Sequence, residues 1–288
     1  MRFGIIANRK RVGADTVVKR VITWIDQNHH DYRVSEALRD LAPDPAKVMP
    51  RGQLAPWCEM LISMGGDGTL LASAREIADL QTPILGVNLG SLGFLTQISA
   101  DEVESRLQDV AVGNHKIEER MLLEAGVNDD LADTRYFALN DVVVDRGSLA
   151  RLIQLDLYVN DEFISTYRAD GLIISTPTGS TAYNSAVGGP ILNPLMRAIV
   201  SSPIAPQSLA ARPLLFDGND VVRIRVLSPA HNSLLTIDGQ ISVNLRNGAE
   251  VTIRRAPHAT HLVTFAHNSF YQILRTKLHW AVLPRTEQ

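Results

Sequence analysis

Near residue 118 the spacing of apolar residues changes from helical to alternating, which divides the chain into an α/β part and a β-rich part. Upstream, short apolar runs alternate with amphipathic stretches, as in a mostly parallel sheet covered by crossover helices. Residues 3–7 predict the first strand. Val17, Val18, Val21, Ile22, Trp24 and Ile25 recur at helical spacing and predict a helix over 15–28. Residues 60–64 predict a strand, 70–80 a helix and 84–88 another strand, while Ser99 with Glu102 forms a capping box for a helix running to about 112. Downstream, Ile153, Leu155, Leu157 and Val159 alternate with polar side chains on one strand. Asn160-Asp161, Asp238-Gly239 and Asn247-Gly248 signal turns, and the stretches around Pro203, Pro206 and Pro213 read as loops. Residues 269–280 have mixed spacing, open to helix or strand.

At 288 residues and 45% hydrophobic, the chain can bury a core in each of two domains. A net charge of -3 gives no broad field for nucleic acid or an anionic membrane, so an anionic substrate must be held locally. The single cysteine, Cys58, excludes an internal disulfide and a thiolate metal cluster, and reads as a core thiol in a reducing compartment. The apolar run at 3–7 is too short for a signal peptide, and no later run reaches the ~20 residues of a membrane span. A cytoplasmic protein is expected, with no nucleic-acid or membrane partner.

The chemistry-bearing motifs lie at strand ends. Gly65-Gly66-Asp67-Gly68-Thr69 follows a strand and opens a helix. Its glycines permit unusual backbone angles, and its free amides suit a phosphate donor. Asp67 repels phosphate, and its natural partner is a hydroxyl proton or a metal. Taken alone, Asp67 also reads as a simple helix cap. There is no GxxxxGK[ST] loop, and no GxGxxG follows the first strand, so two familiar nucleotide folds are excluded. A second glycine turn, Asn88-Leu89-Gly90-Ser91-Leu92-Gly93-Phe94, follows the next strand. Asn140-Asp141 interrupts the apolar run 137–144, where unsatisfied polar side chains are costly. Residues 170–183, Asp-Gly-Leu-Ile-Ile-Ser-Thr-Pro-Thr-Gly-Ser-Thr-Ala-Tyr, join an apolar strand to a hydroxyl-rich turn with the mixed donors and acceptors of a nucleoside site.

Together, GGDGT, the Asn-acidic pair, DGLIISTPTGSTAY and the Asp-Gly-Gln turn at 238–240 closely resemble the NAD kinase family, in order from the first strand to about residue 275. The resemblance implies transfer of the γ-phosphate of ATP to the 2'-hydroxyl of the adenosine ribose of NAD, giving NADP, with a divalent cation such as Mg2+ assisting. It implies Asp67 as general base with Gly68 beside it, and Gly65, Gly66 and Thr69 as the phosphate-donor loop. Phe94, Asn140, Asp141, Arg151, Arg168, Asp170, Thr178, Thr181, Ala182, Tyr183, Asn184, Ser185, Ala186 and Gln240 match substrate-binding positions. Arg168 could pair with a phosphate or with a neighbouring subunit. The metal ligands are not identified by any motif. Ser91 stands where family members often carry arginine or histidine, and Arg9, Lys10 and Arg11 offer substitute charge, although a solvated basic loop is the plainer reading of that cluster. A homo-oligomer, dimer or tetramer, is expected from the resemblance. A diacylglycerol-type lipid kinase shares the glycine turn, and a catalytically silent NAD(P)-binding sensor would retain the fold. The expected architecture is a Rossmann-like α/β domain over 1–118, a β-rich, sandwich-like domain over 119–268 and a segment over 269–288 returning to the first domain.

Overall fold

The computed structural model describes residues 1–90, 93–96, 98–128, 135–148, 151–227, 233–266 and 269–278. The chain divides into two units: 1–73, 80–118 and 261–288 make the first, and 74–79 with 119–260 make the second.

In the first unit, β1 (Arg2–Ala7), α1 (Ala14–Gln27), β2 (Asp31–Ser35), β3 (Val48–Met49), α2 (Arg51–Trp57) and β4 (Met60–Gly65) follow in order. Next come α3 (Asp67–Glu76, to Ser73 in this unit), β5 (Ile84–Asn88), β6 (Ile98–Ser99) and α4 (Val103–Ala111). The sheet order β3-β2-β1-β4-β5 is parallel throughout, with β6 parallel to β5 as well. Strands β4 and β5 are buried along their whole length, which is why they read as unbroken apolar runs. The apolar stripe of α1 packs Val17, Val18, Val21, Ile22 and Ile25 into one core with Phe3, Ile5, Ile62 and Leu85. The Ser99 capping box forms as expected, ahead of a short 3-10 turn that leads into α4. Cys58 is buried at the end of α2, and burial pushes its thiol up to about 11. The helix after the glycine turn starts at Asp67 rather than residue 70, because the turn itself supplies its first residues.

The second unit is antiparallel. It holds β7 (Lys116–Asn128, from Glu119), β8 (Arg135–Ala138), β9 (Asp141–Asp145), β10 (Ile153–Val159), β11 (Glu162–Ala169), β12 (Gly171–Ser175), α5 (Tyr183–Ala186) and β13 (Ala198–Ile204). It continues through β14 (Leu214–Asp217), β15 (Val222–Val226), β16 (Ser233–Ile237), β17 (Ile241–Leu245) and β18 (Glu250–Thr264, to Thr260 in this unit). One layer runs β11-β10-β15-β18 and the other β14-β13-β12-β9-β16-β17. Alternate residues of both layers, among them Leu155, Leu157, Ile224, Val144, Leu172 and Leu235, fill a common core, so this is a β-sandwich. At the expected turns, Asn160 and Asp161 take φ of 49° and 68°, and Asp238 and Gly239 take 48° and 65°. These are left-handed angles that Asn, Asp and Gly adopt most easily.

Pro203 corrects the loop expectation. It lies within β13, opposite Leu172 of β12. Pairing of β13 with β14 ends at Ser201, so Pro203 has one side with no ladder to satisfy, and proline costs nothing there. The closing segment forms α6 (Phe270–Leu278), which resolves the helix-or-strand ambiguity in favour of helix.

Candidate active site

The glycine turn presents Asp67 as a fixed carboxylate. Its Oδ2 accepts a hydrogen bond from the amide of Phe94 at 2.8 Å, and its Oδ1 accepts from the amides of Leu95 (3.1 Å) and Thr96 (3.0 Å) and from Thr96 Oγ1 (3.0 Å). Oδ1 is therefore saturated, and Oδ2 keeps a lone pair to spare. The second glycine turn allows this approach. A Cβ on Gly93 would overlap Asp67 Oδ1 and lie 2.5 Å from its Cγ and 2.6 Å from Thr96 Oγ1. Thr96 is itself held, accepting from Asn88 Nδ2 at 2.8 Å. In the first turn, Gly65 packs against the Thr69 side chain, and the amides of Thr69 and Leu70 both donate to Gly66 O, which closes the turn onto the helix. Phe94 is half-buried and meets Asp67 through its backbone, and Gly68 is exposed beside it. Ser91 and Leu92 lie outside the described residues.

In the second unit, sheet register brings three segments together. Ser175 pairs with Asp141, and Ile237 pairs with Val142, so the ends of β12 and β16 flank the start of β9. The Thr176 amide donates to Asn140 O (2.9 Å), and Thr176 Oγ1 donates to Leu139 O (2.6 Å). Gly179 seats directly on the Asn140 carbonyl, where a side chain would collide with backbone. The Asp238 carboxylate is wholly buried and accepts from the amides of Leu139 (3.2 Å), Asn140 (2.8 Å) and Asp141 (3.2 Å). Arg75 closes the cluster, with Nη1 on Asp238 Oδ2 at 3.1 Å and Nη2 on Gln240 Oε1.

These segments line a pocket of about 320 Å³ formed by Asn140, Asp141, Val143, Asp145, Ala182, Tyr183, Thr236, Asp238 and Gly239. Four of the expected residues, Asn140, Asp141, Ala182 and Tyr183, share it. Asp141 is buried, and burial followed by the charge of Asp238 raises its carboxyl to about 7. Burial likewise raises Asp238, against the pull of its three amide donors and Arg75. Tyr183 is raised by burial and by Asp145, Asp170 and Asp141, so its hydroxyl remains a hydrogen-bond donor at neutral pH. Thr178 Oγ1 is buried with no hydrogen-bond partner among the described residues. A buried hydroxyl left so is costly unless something outside the chain satisfies it.

Other expected residues are placed differently. Asn184 is fully buried, donating to Ser180 O (3.2 Å) and Pro190 O (3.1 Å) and accepting from Ser202 Oγ (2.6 Å), so its polar atoms hold the loop together. Ser185 Oγ and Thr181 Oγ1 donate to carbonyls of the same loop, and Ala186 is exposed at its end. Asp170 accepts from Arg146 Nε at 2.6 Å, while Arg151 and Arg168 are exposed. None of these lines the pocket, nor does the exposed Gln240. Sequence reasoning missed Asp238 as more than a turn former, along with Arg75, Asp145, Thr236 and Gly93. The available signal was polarity against an apolar background: Thr236 and Asp238 flank Ile237 at the end of a strand that is otherwise leucine-rich.

Residues 3–115 match the family model for the ATP-NAD kinase N-terminal domain, and residues 139–265 match that for the ATP-NAD kinase C-terminal domain. The chain is 39% identical to an NAD kinase of Syntrophotalea carbinolica over 97% of its own length and 98% of the relative's. It is 43% identical to one of Trichlorobacter lovleyi over 92% and 93%. Among solved structures it is similar to a yeast NADH kinase complexed with NADH (TM-score 0.91, 25% identity, covering 100% of this chain and 90% of the other). An Archaeoglobus fulgidus NAD kinase in complex with ATP shares the fold (TM-score 0.78, 24% identity, 97% and 99% covered). With both domain models matched in order and full-length relatives well above 30% identity, the chain belongs to the NAD kinase family.

Proposed function

We propose that this chain transfers the γ-phosphate of ATP to the 2'-hydroxyl of the adenosine ribose of NAD, giving NADP and ADP, with Asp67 as the general base. The observation that carries the assignment of roles is the hydrogen-bond pattern of Asp67: four donors fix the carboxylate and leave Oδ2 with free capacity for one more proton. In the reaction, Oδ2 takes the hydroxyl proton as the ribose oxygen bonds to phosphorus, and the bond from phosphorus to the ADP oxygen breaks. Little covalent chemistry falls to the protein, so positioning and charge stabilisation supply most of the rate. The glycine turn of Gly65, Gly66, Gly68 and Thr69 receives the donor phosphates.

On the acceptor side, Asn140 and Asp141 bind adenosine groups. Tyr183 and Ala182 wall the same pocket, and Thr178 Oγ1 offers a buried hydroxyl to the dinucleotide. Asn184, Ser185, Thr181 and Ala186 shape the loop, while Arg168 and Asp170 serve the nicotinamide half and Arg151 approaches the ligand. Among the described residues no cluster of three or more His, Cys, Asp or Glu could hold a metal. That suits Mg2+ arriving on the triphosphate, since this ion is usually bound by substrate phosphates and few carboxylates. Such an ion would neutralise charge on the transferred phosphate. We place the enzyme in the cytoplasm as a dimer or tetramer, which sedimentation would contradict if the active species were a monomer.

The lipid-kinase and silent-sensor readings are not favoured, because the full-length relatives are NAD kinases. Incubating purified protein with ATP, Mg2+ and either NAD or diacylglycerol separates the three. Phosphorylation of NAD alone at the 2' position is expected, and no NADP would refute the proposal.

A further inference from the structure

We propose that Arg11 is the side chain that grips the phosphates of the donor nucleotide over the glycine turns of the first unit. This rests on the proposed function. Of the three cations at 9–11, Arg9 is fully engaged: Nε and Nη2 reach Asp15 (3.0 and 2.7 Å), Nη1 and Nη2 reach Asp40 (2.6 and 3.0 Å), and Nη1 donates to Ala37 O (3.2 Å). That fork anchors the loop. The loop backbone is tied down as well, with the Asn8 amide on Met64 O (2.9 Å), the Arg11 amide on Asn8 O (3.1 Å) and the Ala14 amide on Arg11 O (3.2 Å).

On this fixed base the Arg11 side chain is exposed, with no hydrogen bond or ion pair among the described residues. Its Nη2 lies 3.5 Å from where a Cβ on Gly66 would stand, and among the described residues no other heavy atom outside the chain neighbours comes within 4 Å of that point. Its Nη1 lies 3.8 Å from the corresponding point on Gly90, with Asn88 Oδ1 at 3.7 Å beside it. One guanidinium thus reaches Gly66 of the first turn and Gly90 of the second. Among the described residues no ion pair joins it to Asp67, whose carboxylate is held by the segment 94–96. The donor brings several negative oxygens to a turn that has amides but no basic side chain of its own. A planar fork of N–H donors is the group best matched to them.

The test compares Arg11→Gln and Arg11→Lys with the wild type, using Arg39→Gln, an exposed arginine elsewhere in the unit, as a charge control. Steady-state kinetics should show the KM for ATP raised about tenfold or more in Arg11→Gln, the size of a lost charge-assisted hydrogen bond. The KM for NAD and the melting temperature should stay near wild type. Arg11→Lys should recover part of the loss, because it keeps the charge without the fork. Calorimetric binding of inorganic tripolyphosphate should weaken in Arg11→Gln by a similar factor. An unchanged KM for ATP, a rise in the KM for NAD instead, or tripolyphosphate binding equal to wild type or absent from wild type overturns the role of Arg11. Failure of the wild type to make NADP would instead refute the proposed function, and the tripolyphosphate measurement would still decide on Arg11.

Discussion

At Asp67 the two carboxylate oxygens are unequal: Oδ1 accepts three hydrogen bonds and Oδ2 one. The arrangement depends on Gly93, whose hydrogen stands where any side chain would overlap Oδ1. Gly93→Ala should displace the carboxylate and lower kcat about 100-fold or more, since misplacing a reacting group by ~1 Å costs that much. NAD affinity, measured by calorimetry, should hardly move. Asp141 makes a second residue-scale prediction. Its folded-state carboxyl is raised from 3.8 to about 7 by burial and by Asp238. The folded state therefore holds a proton that the unfolded chain has lost, and stability falls as pH rises from about 3.8 through about 7. Full ionisation costs on the order of 4 kcal/mol. Asp141→Asn removes this titration, so its stability relative to wild type, measured by urea unfolding, should improve from pH 5 to pH 8. An equal difference at both pH values would show that Asp141 titrates normally.

Elements act here through their ends. The loop after β12 and the turn after β16 meet at the start of β9, and the buried Asp238 ties that junction by accepting three successive backbone amides. Asp238→Ala leaves those amides and Arg75 Nη1 without their acceptor. It should cost about 2–4 kcal/mol in thermal or urea unfolding and raise the KM for NAD about tenfold, with kcat at saturation less affected. Much of this architecture was legible beforehand. Strand β5 fell on residues 84–88 as expected, α1 shifted by one residue, and the alternation at Ile153 to Val159 matched a half-buried strand. Those segments carry their partner's geometry in their own period. The short β2, β3 and α2 carried too little period to be seen, and Pro203 misled because its tolerance depends on where β14 stops. Of the residues lining the pocket, Asn140, Asp141, Ala182 and Tyr183 were legible in motifs. The contacts of Asp238 and Gly93 were not, because Asp238 accepts from the backbone of 139–141 and Gly93 makes room for the Asp67 carboxylate, both distant in sequence.

For the molecule as a whole, each unit has its own apolar core, one centred on Phe3, Ile62 and Leu85 and the other on Leu155, Val144 and Leu235. A net charge of -3 over 288 residues supplies no long-range field for anionic substrates. Phosphate recognition must then be local, which places the burden on glycine amides and single cations such as Arg11. The central claim, that this chain makes NADP with Asp67 as the proton acceptor, is tested most directly by the rate of NADP formation in Asp67→Asn beside wild type at saturating ATP, Mg2+ and NAD. Wild type should form NADP, and the variant should bind NAD with similar affinity while turning over about 100-fold or more slowly. Turnover by Asp67→Asn within a few fold of wild type would contradict the account.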